Sequence, residues 1–305
     1  MPGSKEERQA AVYRATDEPG AVIPPQYAIA LNSCGPILKY LEAIAQLRLS
    51  SGDPLASVIL FGSAAKGAAD VGDVDLIVVL PDTANKDDRR RIQEKVLALE
   101  IIHGFRVPSD RTRGRLEKYI ERCAGYSLSG FVCTRSDLLS GEITRVLGLS
   151  PFEAVFVDRI VFASVIVSAA TVWGEELLAQ VPIPALRRLD VLKALFNFQS
   201  AIIMSAAVFP LFPNATKYAI GVLKHSLHSC YFCYQQKTGS LPEEVDFFAS
   251  RMSRRNVLDD LLNRRRRYAP SLAFVLSCLP ILFRLHLRTA RDNRFPQPVL
   301  RNRIP

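Results

Sequence analysis

The stretch LFGSAAKGAADVGDVDLIVVL, residues 60–80, decides the reading of this chain. Two apolar, β-branched runs, ASVILF at 56–61 and VDLIVVL at 74–80, have the composition of strands. Between them lie Gly62-Ser63, a loop of small residues holding Lys66, and then Asp73-Val74-Asp75. Side chains two apart on a strand point to the same face, so Asp73 and Asp75 project together. Two carboxylates so close repel, and one would take up a proton unless a cation sits between them. A hard divalent ion such as Mg²⁺ suits the pair, because it accepts carboxylate oxygens and keeps positions for phosphate oxygens. Upstream, Gly62 permits backbone angles that other residues avoid and lets a ligand approach the main chain. Ser63 offers a hydroxyl and an N–H, and Lys66 a positive charge. The segment as a whole reads as a phosphate-binding turn facing a metal pair, with Gly62, Ser63 and Lys66 on the donor phosphates and Asp73 and Asp75 on the metal.

Working outward, residues 1–26 read as loosely attached, being polar, mixed in charge and followed by Pro24-Pro25. No apolar segment of signal-peptide type stands at 1–20. Helical spacing in Ile37, Leu38, Leu41, Ile44 and Leu47 places a helix before the first strand. After the second strand, DDRRRIQEKVLALEIIH predicts an amphipathic helix with Ile92, Val96, Leu97 and Leu99 inward. RTRGRLEKYIERC, 111–123, predicts another helix, and LSGFVCT, 128–134, a third strand. VFVDRIVFASVIVSAATVW, 155–173, fits a strand or a buried helix equally. Val181-Pro182-Ile183-Pro184 is the best boundary, and beyond it four helices are expected near 185–208, 215–237, 243–266 and 271–291. The fold class is therefore α+β over 27–182, followed by an all-α bundle over 183–305.

The quoted stretch resembles the signature of the nucleotidyltransferase superfamily typified by DNA polymerase β, and within it the minimal and aminoglycoside-type enzymes. Gly62, Ser63, Asp73 and Asp75 match its Gly-Ser and Asp-x-Asp positions. The resemblance implies a small mixed sheet flanked by helices. It implies transfer of a nucleoside monophosphate from an NTP to an acceptor hydroxyl, with release of pyrophosphate. The metal would be Mg²⁺, with Mn²⁺ as the alternative, held by Asp73 and Asp75. AATVWGEELL, 169–178, is similar to the segment by which such enzymes leave the catalytic domain. TKYAIGVLKHSLHSCYFCYQQKTG, 216–239, is similar to a helix of their C-terminal domain, where a Lys reaches the triphosphate; Lys217 and Lys224 are the candidates. The family also uses a third carboxylate on a neighbouring strand. LSGFVCT has none, which leaves Asp137 just past its end, Glu153 or Asp158 later, or a group of the substrate, as substitutes, or else a site that binds NTP and turns over poorly. A missing general base typically costs 10²–10⁴-fold in rate.

Composition bounds the remaining readings. The chain has 305 residues and a net charge of +9. Residues 251–305 hold thirteen Arg, no Lys and three Asp, so this segment alone carries +10 and the rest is close to neutral. The run Arg264, Arg265, Arg266 and Arg267 is either a solvated helix end or a phosphate contact to RNA or a triphosphate. Six scattered cysteines in apolar runs point to reduced, buried thiols of a cytoplasmic protein, not to a disulfide framework. His225, His228, Cys230 and Cys233 would spread over about 200° of a helix, which excludes a shared tetrahedral metal. An Arg followed four to six residues later by His, the mark of a fused RNase, is lacking in the C-terminal helices. SLAFVLSCLPILF, 271–283, is too short to span a bilayer and reads as a buried helix, with a membrane-associated segment as the minor alternative. Three classes of function stand: a nucleotidyltransferase acting on a small molecule or on RNA or protein, a degenerate nucleotide-binding or regulatory module, and a basic RNA-binding protein. The oligomeric state is left open.

Overall fold

The computed structural model describes residues 35–65, 74–106, 130–149, 159–212, 215–251 and 255–292. Two compact units emerge. Among the described residues the first holds 35–106, 130–149 and 168–182, and the second 159–167 and 183–292. The expected loose N-terminus, 1–26, and the helix expected at 111–123 fall outside the described residues.

The first unit is built on a four-stranded sheet. The strands are β1 (Ser57–Phe61), β2 (Asp75–Leu80), β3 (Gly130–Thr134) and β4 (Ala170–Gly174). Their order is β3-β2-β1-β4. The β1–β2 and β1–β4 pairs are antiparallel and β2–β3 is parallel, so the sheet is mixed. β1 and β2 occupy the centre, which explains why both read as nearly continuous apolar runs rather than alternating ones. One face, with Val58, Leu60, Leu76 and Val78, packs on helices α1 (Gly35–Ala45) and α3 (Lys86–Ile102). A short α2 (Gly62–Ala65) follows β1. Asn85 starts α3: its side chain accepts from the backbone N–H groups of Asp87 and Asp88, both at 2.9 Å. Asp88 then accepts from the N–H and hydroxyl of Ser50, at 3.0 and 2.6 Å, pinning the loop that leads into β1. The buried positions of α3 are Asp88, Ile92, Val96 and Glu100, while Leu97 and Leu99, expected inward, are only half-buried. Short helices α4 (Arg135–Leu139) and α5 (Ile143–Leu147) follow β3 and pack against it.

The ambiguous stretch at 155–173 resolves into both structures. Arg159–Ser168 is a helix, α6, and Ala170–Gly174 is β4. Ile160 and Ala163 of α6 join the helical core of the second unit, although they lie inside the 27–182 span.

The second unit also comprises α7 (Arg188–Val208), α8 (Ala215–Gln235), α9 (Leu241–Ala249), α10 (Arg255–Arg266) and α11 (Leu272–Asp292). The single helix expected over 243–266 is thus two, because the first ends at a C-cap on Ser250. α8 is the central helix, with Ala219, Val222, Leu223 and Phe232 all buried. The side chain of His228 in α8 is spent on a contact with the buried Glu244 carboxylate of α9. Cys230 and Cys233 are buried in the same core. Among the described residues no group of three metal-ligating side chains occurs.

α7 and α11 are long and apolar enough to cross a bilayer, with mean hydropathy 1.5 and 1.4 over 18 residues, and 44% of each window is buried within the unit. They run antiparallel, since Gln199 donates to the Leu279 carbonyl and His286 Nδ1 donates to that of Val191. That second bond fixes the tautomer: the other ring nitrogen, Nε2, accepts from the Ser226 hydroxyl at 2.7 Å. Burial pushes the His286 imidazole down to about 4 from its ordinary 6.5, and the Val191 bond offsets this only in part. A base whose folded pKa is depressed takes up protons first in the unfolded chain. Stability is therefore complete above about pH 6.5 and is lost as pH falls toward 4, by up to about 3 kcal/mol. Urea midpoints measured from pH 7 to pH 4 should fall, and the fall should be shallower in His286→Asn.

Candidate active site

The strand and turn geometry at residues 60–80 brings Gly62 against Asp75. In the antiparallel β1–β2 register Phe61 faces Asp75, at the edge where β1 ends and β2 begins. Gly62 follows at φ +73°, a left-handed angle that favours glycine. A Cβ placed on Gly62 would fall on Oδ2 of Asp75 and lie 3.2 Å from its Cγ. Glycine is required here twice, for its angle and for the carboxylate lying over its Cα. Ser63, next in α2, is exposed, and Asp75 is half-buried. Asp75 thus stands at the rim of the sheet beside the half-buried Gly62 and the exposed Ser63. Lys66 and Asp73 lie outside the described residues.

The rest of the face that carries Asp75 is apolar. β3 runs parallel to β2 with Phe131 beside Ile77 and Cys133 beside Val79, so these two share the Asp75 face. Phe131 stacks on Phe61, ring centroids 5.9 Å apart and planes 12° from parallel. Cys133 is fully buried, and burial pushes its thiol up to about 12, leaving it inert as base or nucleophile. The described part of β3 therefore supplies no acid next to Asp75.

Asp137 does not take that place. The β2–β3 register ends at Leu80 beside Thr134, roughly 17 Å along the strand from Asp75 at about 3.3 Å per residue. Asp137 lies beyond that far end. Its carboxylate closes a capping box with Thr134 and pairs with Arg89 at 3.6 Å. Asp137→Ala should cost about 1 kcal/mol of stability and leave turnover within about threefold, as read by melting and by initial rates. Glu153 and Asp158 fall outside the described residues.

A carboxylate that sequence spacing hid does reach the Asp75 end. Glu100 is buried in the last turn of α3, and its Oε1 lies 3.1 Å from where a Cβ of Gly130 would stand. Gly130 is in register with Leu76, the residue after Asp75. Glu100 approaches from the opposite face of the sheet and is paired with Arg106 at 3.1 Å. Tyr40 of α1, within reach of the Glu100 and Asp75 charges, is wholly buried, and its hydroxyl has no hydrogen-bond partner among the described residues. Burial first, then the charges of Glu100 and Asp75, hold this phenol far above its ordinary range, so it remains a donor. The only sequence trace of this arrangement was an acid at an inward helical position.

Residues 39–126 match the family described as "Nucleotidyltransferase domain". The matched residues contain both the Gly62-Ser63 turn and Asp75. Among solved structures, the chain is similar to a spectinomycin adenyltransferase of Enterococcus faecialis with ATP and spectinomycin. Identity is 10%, the match covers 85% of this chain and 98% of that one, and the TM-score is 0.48. No curated protein sequence matches the chain.

The two lysines assigned to the triphosphate belong to the second unit. Lys217 lies over the Tyr268 ring, 5.1 Å from its centroid, and Lys224 is half-buried in α8. In the Arg264–Arg267 run, Arg264 is already engaged: it bonds Asp260 at 3.0 Å, donates to the Ala269 carbonyl at 2.7 Å and lies over Phe274. Arg265, Arg266 and Arg267 remain exposed at the end of α10, where they complement the helix dipole.

Proposed function

We propose that the nucleotidyltransferase domain transfers a nucleoside monophosphate from an NTP to an acceptor hydroxyl. The observation that carries this is the Asp75 carboxylate seated on the Cα of a left-handed Gly62, beside the exposed Ser63. A carboxylate held at a strand edge offers hard oxygen donors, and Asp73 doubles them by sequence, so the residues fit a divalent cation. Mg²⁺ held by Asp73 and Asp75 would neutralise charge on the α-phosphate. The chain's own groups do the rest. Gly62 and Ser63 present backbone and hydroxyl donors to the phosphates, and Lys66 adds a charge. The acceptor oxygen bonds the α-phosphorus, the bond to the bridging oxygen breaks, pyrophosphate departs, and the acceptor proton passes to solvent or to the substrate itself.

One observation favours a second reading. On the described face of β3 the positions beside Ile77 and Val79 are Phe131 and Cys133, neither able to accept the acceptor's proton. A nucleotide-binding module without turnover would carry the same turn. Pyrophosphate release with each of the four NTPs and Mg²⁺, compared with Asp75→Asn, separates the two. Release above the variant supports the transferase; NTP binding with equal release supports the module.

A further inference from the structure

The second unit carries an apolar surface edged by arginines, which the transfer reaction does not use. On α7 the outward residues Leu189, Leu192, Phe196 and Ile203 fall within one narrow stripe at 100° per residue. Leu189 is 73% exposed and Phe196 68%; the half-buried Lys193 lies beside the stripe between them, and no charged residue occurs from Phe196 to Ile203. On α11, antiparallel to α7, Leu276, Phe283 and Leu287 form a matching stripe, with Phe283 53% exposed. Arg284, Arg288 and Arg291 run along the far side of that stripe. With Arg251, Phe283, Leu287 and Asp292 they line an open cavity of about 660 Å³. Asp292 is occupied by Arg288 at 3.6 Å and by the Tyr234 hydroxyl at 2.8 Å. Neither Arg284 nor Arg291 forms an ion pair among the described residues, and both are exposed. The sequence after Asp292 adds three more Arg and no acid.

Isolated exposed apolar residues need no explanation, but a continuous stripe on two adjacent helices does. A second copy laid stripe to stripe about a two-fold axis across the helices would set two arginine rows against each other, and about an axis along them would leave each row without an acidic partner row. RNA would answer the arginines and leave the leucines and phenylalanines in water. An apolar band with arginines along one margin matches a bilayer interface, where side chains enter the acyl boundary and cations meet anionic headgroups. We propose that the α7–α11 face docks the protein onto an anionic membrane surface, lying on it rather than crossing it.

The test is flotation of the full-length protein with phosphatidylcholine vesicles, with and without about 30% phosphatidylserine, an amount that creates a strong surface potential. Binding should require the anionic lipid and weaken as salt rises. Arg284→Glu combined with Arg291→Glu should lower partitioning by at least about tenfold. Phe196→Ser combined with Phe283→Ser should also abolish it, and because all four positions are exposed, melting temperatures should stay near wild type. Four results overturn the proposal: no flotation with the anionic vesicles, equal flotation without phosphatidylserine, retention in either double variant, or a dimer in sedimentation that Phe283→Ser dissolves. RNA binding lost only in the arginine variant, with no flotation, assigns the charge to nucleic acid instead.

Discussion

Gly62→Ala should cut NTP-dependent turnover by about a hundredfold while leaving a folded protein. The substitution acts in two ways that can be measured apart. A non-glycine residue at φ +73° costs roughly 1–3 kcal/mol, which for a chain of this size lowers the melting temperature by several degrees. The added Cβ also falls on the Asp75 carboxylate, which must swing off the turn. A shift of about 1 Å in a group that positions the reacting phosphate costs on the order of 10²-fold. Activity should therefore fall at least about a hundredfold, far more than the stability change explains. A variant that melts early but turns over normally would mean that the contact between Gly62 and Asp75 is structural only.

Asp75→Asn removes charge without changing shape, and its expected effect is larger. Metal-assisted charge stabilisation is worth several kcal/mol in the transition state, so initial rates should drop by 10² to 10⁴-fold. Stability should hardly change, since Asp75 is half-buried at the rim of the sheet and the strand keeps its other contacts. The pairing of near-normal melting with lost turnover marks a residue kept for chemistry rather than for folding. A change below about threefold would remove Asp75 from the reaction.

The sequence and the structure agree best where a pattern is local. Gly-Ser between two β-branched runs is a short-range signal, and Gly62, β1 and β2 stand where it put them. The four-helix expectation failed only at 243–266, because the C-cap at Ser250 carries neither Gly nor Pro to announce it. The neighbourhood of Asp75 was not legible, because it depends on pairing across distance. Asp137 is close to the strand in sequence, yet the parallel direction of β3 carries it to the far end of the sheet. Glu100 is remote in sequence, yet the length of α3 returns it to Gly130. A strand's direction cannot be read from its own residues; it is set by the crossover that leads into it. The apolar stripe on α7 was invisible for a different reason: burial on one side and exposure on the other of an apolar helix give the same letters.

The claim that this is a nucleotidyl transfer site is tested most directly with isotopic label. The protein would be incubated with Mg²⁺ and NTP labelled at the α-phosphate or, separately, at the γ-phosphate. The account predicts that the α-label becomes covalently attached to the acceptor and the γ-label appears in pyrophosphate, both lost in Asp75→Asn. Transfer of the γ-label to the acceptor, or α-label transfer that survives Asp75→Asn, would contradict it.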